Sequence, residues 1–68
     1  MRGVTFRQLQ IFVAAATHLS FARTSEQLHL TPAAVSLQIK QLEALAGLAL
    51  FERRGRRVVL TEAGEHLL

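Results

Sequence analysis

Apolar and polar residues follow a helical period in the first part of the chain. One apolar stripe at helical spacing joins Phe6, Leu9, Phe12, Val13 and Ala16. Further apolar residues lie off that stripe, at Ile11, Ala14 and Ala15. This first helix is therefore apolar over much of its surface, which suggests packing partners on two sides. Thr5 and Gln8 have the spacing of a capping box, and His18 and Leu19 close the helix.

A second helix follows, and its connection to a third is very short. Ser20 is a suitable N-cap for a helix from about Phe21 to Leu28, with Phe21, Ser25 and Leu28 facing inward. Only two residues separate its end from Thr31, where the next helix starts. Two short helices joined by so tight a turn cross at a steep angle, as in a helix-turn-helix.

The third helix has a sharp start and a clear core face. Thr31 is a good N-cap, and Pro32 suits the first helical position, where a missing N–H costs nothing. One face is apolar and carries Val35, Ile39, Leu42 and Ala46. The helix is predicted to end near Ala46, with Gly47 as the glycine after the cap.

The pattern then changes to short, partly alternating segments. Residues 48–52 and 57–60 are β-prone, and the glycine-containing segment 53–56 predicts a turn between them. Thr61 caps a fourth helix, whose positive N-terminal dipole suits Glu62 and Glu65. Because the chain stops at Leu67-Leu68 within this predicted helix, we expect a truncated fourth helix. The fold class is mainly α: a three-helix winged helix-turn-helix with a short β-hairpin wing and the start of a fourth, linker helix. We expect residues 1–60 to form the winged helix-turn-helix domain and residues 61–68 to begin the truncated fourth helix.

Length and composition restrict the class of protein. A chain of 68 residues is one small domain, and a hydrophobic fraction of 50% is enough for a core. The chain has no cysteine, which excludes disulfides and thiolate metal sites. Its longest apolar run, residues 11–16, is too short to cross a membrane. We expect a protein of the cytoplasm, without a membrane partner.

The outward face of the third helix mixes small, polar, cationic and apolar groups, with no acid near its middle. A helix that only faces water would show more alternating charge, so this face suits a nucleic-acid groove. The net charge is only +3, but four of the eight cations cluster in the predicted wing. Such a cluster alone is often a solvated turn; after a helix-turn-helix it indicates phosphate or minor-groove contact. The candidate DNA-binding residues are Thr24, Thr31, Pro32, Ala33, Ala34, Ser36, Leu37, Gln38, Lys40, Gln41, Arg53, Arg54, Arg56 and Arg57.

Leu37 is an unusual residue for such a face. Beside Ala33 and Ala34 at a capped helix start, it could contact thymine methyl groups in the major groove. The alternatives are a dimer or lattice contact, or simple exposure, since much of any protein surface is apolar.

Catalytic and metal chemistry are not indicated. The three histidines, His18, His29 and His66, lack metal-ligand spacing, and the chain contains no aspartate. No nucleophile–base pair or glycine-rich phosphate loop is visible. We expect neither an enzyme nor a cofactor.

Several short motifs in this order resemble the N-terminal DNA-binding domain of LysR-type transcriptional regulators. They are Leu9-x-x-Phe12, Ser20-Phe21, Ala34-Val35-Ser36-x-Gln38-Ile39-x-x-Leu42-Glu43, Leu50-Phe51-Glu52-Arg53 and Leu60-Thr61-x-Ala63-Gly64. The resemblance covers essentially the whole chain. It implies a bacterial regulator that binds double-stranded DNA as a homodimer or tetramer, through a long fourth helix. It also implies a C-terminal domain, absent here, that senses a small-molecule inducer.

The resemblance also implies roles for single residues. Ser36 and Gln38 match positions that contact DNA, and Arg53 with the following basic residues matches backbone or minor-groove contacts. Pro32 stands where glutamine is common, Ala33 where proline is common and Leu37 where arginine is common. Thr24 and Ser25 replace a common alanine pair, and Thr24 is expected to face a phosphate.

A protein-interaction or dimerisation module is the rival interpretation. Its support is the broad apolar surface of the first helix. A tight dimer without DNA affinity would favour it.

Overall fold

Four helices and one hairpin make up the part of the chain that the computed structural model describes, residues 3–68. In chain order they are α1 (Phe6–His18), α2 (Phe21–Leu28), α3 (Pro32–Ala46), β1 (Phe51–Arg54), β2 (Arg57–Leu60) and α4 (Glu62–Leu67). This is the predicted winged helix-turn-helix architecture, with the wing and the fourth helix in the predicted order. No helix within residues 3–68 is long and apolar enough to span a membrane.

Hydroxyl side chains start all four helices, as the sequence predicts. Thr5, Ser20, Thr31 and Thr61 each accept a hydrogen bond from a backbone N–H of the first turn. At α1 the capping box is complete, because Gln8 Oε1 accepts from the Thr5 N–H at 3.0 Å. These bonds satisfy backbone N–H groups that have no partner within the helix. Because only a few residue types can do this, the sequence predicts where each helix starts.

Left-handed residues end the first three helices. Leu19 has φ 51° and His29 has φ 57°, whereas Gly47 after α3 has φ 73°. A non-glycine residue in this conformation is uncommon. At Leu19 and His29 it redirects the chain, so that only two residues separate α1 from α2 and three separate α2 from α3.

The core lies where the three helices meet the start of the wing. Its buried hydrophobic residues are Ile11, Phe12, Ala15, Ala16, Val35, Ile39, Leu42, Leu50 and Phe51. The Phe51 ring lies 5.6 Å from the ring of Phe12 and 5.6 Å from that of Phe21, centroid to centroid. The wing is therefore attached to the helices by a strand residue that belongs to their common core.

The apolar stripe predicted for α1 is only partly the core face. Ile11 and Ala15, predicted to lie off the stripe, are 1% and 0% exposed, whereas Phe6 and Val13 are 77% and 49% exposed. Helical spacing cannot decide between two apolar sides of one helix; the packing of α2 and α3 selects the Ile11 side. Within residues 3–68 only that side of α1 is covered, so the prediction of partners on two sides is not met within this part of the chain.

The wing also differs from the predicted boundaries. Strand β1 begins at Phe51 and runs through Arg54, so Arg53 and Arg54 lie in the strand. Arg54 pairs with Arg57, which leaves a two-residue turn with Gly55 first, at φ 63°. Residues 48–50 are not in the sheet, because the backbone N–H and carbonyl of Leu50 bond to Glu43 and Thr61 instead.

Candidate nucleic-acid interface

The outer surface of α3 has three zones, set by the helical period. Ala33 and Leu37 form an outward crest, and Leu37 is 55% exposed. Pro32, Ser36 and Lys40 lie toward the wing. The remaining predicted residues are Thr31 at the cap, Gln41 at the outer side, and half-buried Ala34 and Gln38 near the edge opposite the wing. The crest is therefore apolar, and polar groups flank it on both sides.

A cleft separates α3 from the wing. Ser36 and Lys40 line it from the helix, and Arg53 lines it from β1, with Phe21 and Val58 also in contact. Arg53 faces this cleft because side chains alternate along a strand and Phe51, two residues earlier, points into the core. The structure thus brings Ser36, Lys40 and Arg53 to one place, although they are far apart in the sequence.

A second groove lies between the wing and the start of α2. Arg53, Arg56 and Arg57 line it, opposite Ser20 and Phe21. The first turn of a helix has backbone N–H groups without helical partners and a positive end of the helix dipole. Three of the four wing arginines therefore share a positively polarised groove that suits an anionic ligand.

Arg54 is oriented differently from Arg53, and its cross-strand partner is Arg57. It lies on the opposite face of the hairpin from Arg53, together with Glu52. Its Nε donates to Glu52 Oε1 at 3.2 Å, and its Nη2 lies 3.2 Å from the same oxygen in an ion pair. This is the only ion pair found within residues 3–68, so Arg53, Arg56 and Arg57 keep their charge unpaired within that part of the chain.

Thr24 does not belong to this surface. It is 0% exposed, and its hydroxyl donates to the Ser20 carbonyl at 2.8 Å. The expectation that Thr24 faces a phosphate is wrong, because α2 turns this residue inward beside Ser25, which is 3% exposed. A hydroxyl that bonds its own helix backbone can be buried without leaving its donor unsatisfied, and the residue type alone does not predict this.

A model of the bacterial regulatory helix-turn-helix proteins, lysR family, matches residues 6–65. This chain belongs to the lysR family. The domain is 57% identical over 68 residues to the HTH-type transcriptional regulator CfxR of Cupriavidus necator, covering 100% of this chain and 22% of that protein. It is 63% identical over 62 residues to CbbR of Rhodospirillum rubrum, covering 91% of this chain and 21% of that one. This lysR-family chain thus spans about a fifth of the length of these curated relatives.

Solved structures of the family share the fold closely. The crystal structure of a CbnR_DBD–DNA complex is similar with a TM-score of 0.90 and 37% identity, over 96% of this chain and 75% of that one. A LysR-family transcriptional regulator from Eggerthella lenta is similar with a TM-score of 0.90 and 31% identity, over 94% and 91% of the two chains.

Two features of this candidate interface escaped sequence reasoning. One is the start of α2, whose Ser20 and Phe21 line the arginine groove. The other is Glu43, which lines the α3–wing cleft and bonds the backbone at the start of the wing. A signal for Glu43 exists: an acid in the last turns of a helix opposes the helix dipole, which points to a specific partner.

Proposed function

We propose that this lysR-family chain binds double-stranded DNA sequence-specifically, as the DNA-binding domain of a bacterial transcriptional regulator. Helix α3 lies in the major groove, which is wide enough for one helix. The wing lies along the phosphate backbone or in the adjacent minor groove. Similarity to CbnR_DBD, which was solved with DNA, supports this arrangement.

The observation that carries the proposal is the charge of the α3–wing cleft. Lys40 and Arg53 line it without an ion-pair partner in residues 3–68. The two acids at the cleft are engaged internally: Glu43 accepts from backbone N–H groups, and the Glu52 carboxylate, which extends to the opposite face of the hairpin from Arg53, accepts from Arg54. The charged groups that remain available to a ligand are thus cationic. They can contact the phosphates of the DNA backbone between the major and the minor groove.

Residue roles follow from the zones of the surface. Ser36 and Gln38 carry polar readout of bases or phosphates, and Leu37 contacts a thymine methyl group. Lys40, Gln41 and the wing residues Arg53, Arg56 and Arg57 hold the backbone. Four residues lie where the start of α3 approaches the groove: Thr31, Pro32, Ala33 and Ala34.

A titration of duplex DNA over a range of salt concentrations tests the function. Each phosphate contact contributes a slope of about −0.9 to log K against log[salt]. Contacts from Lys40, Arg53, Arg56 and Arg57 give a slope of roughly −3.6 per chain. A slope near zero would refute DNA binding by this surface.

Further proposals concern the whole protein. Residues 1–60 act as the DNA-binding domain, and residues 61–68 begin a linker helix through which the full-length regulator forms a homodimer or tetramer. A C-terminal domain outside this chain senses a small-molecule inducer. The protein is not an enzyme and works in the cytoplasm, associated with the nucleoid when bound. The curated relatives are named as transcriptional regulators and this chain spans about a fifth of their length, which supports a regulator with further parts.

A protein-interaction module is the second candidate function. The observation behind it is the uncovered apolar side of α1, where Phe6 is 77%, Val13 49% and Leu9 37% exposed. Sedimentation without DNA separates the two functions. A tight dimer that has no affinity for duplex DNA would favour the interaction module, and a chain that binds DNA with a steep salt slope would favour the first.

A further inference from the structure

Glu43 connects the recognition helix to the wing with its side chain. Its Oε2 accepts from the backbone N–H of Leu50 at 2.8 Å and from that of Phe51 at 3.3 Å. Phe51 is the first residue of β1. The main-chain oxygen of Glu43 also accepts from the N–H of Gly47 at 2.8 Å. One residue therefore holds both the turn that ends α3 and the strand that carries Arg53.

The charge of Glu43 has no other role that the structure shows. It sits near the C-terminus of α3, where the helix dipole disfavours an acid, and the last turn contains no basic residue. Hydrogen bonds to a carboxylate are roughly twice as strong as those between neutral groups. The two backbone N–H groups at the base of the wing thus compensate an acid that is unfavourable for the helix itself.

Thr61 also holds the loop that precedes β1, residues 48–50, by hydrogen bonds to its carbonyl groups. The Thr61 N–H donates to the Leu50 carbonyl at 3.0 Å, and the Thr61 hydroxyl donates to the Ala49 carbonyl at 2.6 Å. Thr61 directly follows β2, so it anchors the end of the hairpin, whereas Glu43 anchors its beginning. Within residues 3–68, the Glu43 side chain is the only group of α3 that hydrogen-bonds Leu50 and Phe51, where the hairpin begins.

We propose that Glu43 is a positioning residue for DNA binding, which sets the wing arginines, Arg53 first among them, at a defined place relative to α3. This inference rests on the proposed DNA-binding function. Because side chains alternate along β1, a fixed Phe51 backbone directs Arg53 into the cleft beside Lys40. Without the carboxylate, Phe51 stays in the core through its contacts with Phe12 and Phe21, but the strand loses its link to α3.

The decisive experiment is a double-mutant cycle. For each variant it measures the slope of log K against log[salt] for binding to duplex DNA. Glu43→Met keeps a long, helix-favouring side chain and removes the acceptor, and Arg53→Ala removes the cation. In the wild-type background, Arg53→Ala lowers the magnitude of the slope by about 0.9. In the Glu43→Met background we expect Arg53→Ala to change the slope by much less than that, because the arginine is no longer held at the phosphate.

Two further variants distinguish positioning from general effects. Glu43→Gln retains an acceptor oxygen and is expected to restore most of the coupling to Arg53. Glu26→Ala removes one exposed acid on α2, away from the cleft, and is expected to leave the slope unchanged. Thermal unfolding of each variant shows that the comparison is made on folded chains; if Glu43→Met is unfolded, Glu43→Ala takes its place in the cycle.

Three outcomes are distinguishable. A flat salt slope for the wild-type chain refutes the proposed function itself. A steep wild-type slope with Arg53→Ala equally effective in both backgrounds refutes the positioning role, even if Glu43→Met lowers the melting temperature. A steep wild-type slope with a coupling that Glu43→Gln restores supports it.

Discussion

Gly64 of α4 lies directly against the carbonyl oxygen of Leu50. A Cβ on Gly64 would overlap that oxygen and crowd the Leu60 side chain. The same oxygen accepts the Thr61 N–H at 3.0 Å, and Leu50 itself is 2% exposed. The first turn of α4 therefore passes over the loop that supports the wing, with no room for a side chain between them.

We expect Gly64→Ala to destabilise the domain. Alanine normally favours a helix over glycine by about 1 kcal/mol, but overpacking a well-packed site costs about 1–3 kcal/mol. The Leu50 backbone cannot move aside easily, because its N–H is bound to Glu43 and its carbonyl to Thr61. Thermal unfolding measures the effect, since 1 kcal/mol shifts the midpoint by roughly 4–8 °C in a domain of this size. The exposed-site control Glu65→Gln should change little; a Gly64→Ala midpoint above that of the wild type would show that the loop can move.

Arg53 and Arg54 are adjacent, yet we expect them to contribute unequally to DNA binding. Arg53→Ala removes an unpaired cation that lines the cleft, which should lower the magnitude of the salt slope by about 0.9. Arg54→Ala removes a cation on the other face that is paired with Glu52 at 3.2 Å, and its effect should be smaller. The two variants are matched in charge and composition. Equal slopes for both would mean that DNA contacts both faces of the hairpin.

Leu37 is expected to recognise a thymine methyl group. Replacing thymine by uracil at the contacted base removes only that methyl, and burial of such a group is worth about 0.8 kcal/mol, or about fourfold in affinity. The wild-type chain should lose this factor at one position of a site selected from random DNA, and Leu37→Ala should be insensitive there. Leu45→Ala, an equal truncation at an exposed position of the same helix, should keep the wild-type discrimination. A wild-type chain that never distinguishes thymine from uracil would contradict this role.

Truncation should destabilise the domain strongly on one side of α1 and hardly at all on the other. Phe12 is 1% exposed and contacts the Phe51 ring, so Phe12→Ala is expected to cost about 3–5 kcal/mol. That is comparable to the whole stability of a small domain, so the variant should be largely unfolded. Phe6 is 77% exposed, so Phe6→Ala should stay within about 0.5 kcal/mol of the wild type. Far-UV circular dichroism during denaturation measures both, and a severe loss in Phe6→Ala would indicate a covered α1 face.

Local chemistry was enough to predict where the helices begin and where α3 ends. Thr5, Ser20, Thr31 and Thr61 start helices because a hydroxyl can bond the first free N–H groups, an interaction over three residues. Gly47 ends α3 because glycine adopts a left-handed conformation at little cost. The winged helix-turn-helix and its family were therefore predictable from motifs and their order.

Where one element offers two possible faces, only the tertiary structure decided which of them is buried. Both sides of α1 are apolar, and packing against α2 and α3 buries Ile11 and leaves Phe6 exposed. The burial of Thr24, the link from Glu43 to the wing and the different orientations of Arg53 and Arg54 depend on residues brought together from separate elements. Periodicity determines which residues share a face, because that is a property of one helix or strand. Which face is covered depends on the free energy of burial against its neighbours, and that is a property of the whole fold.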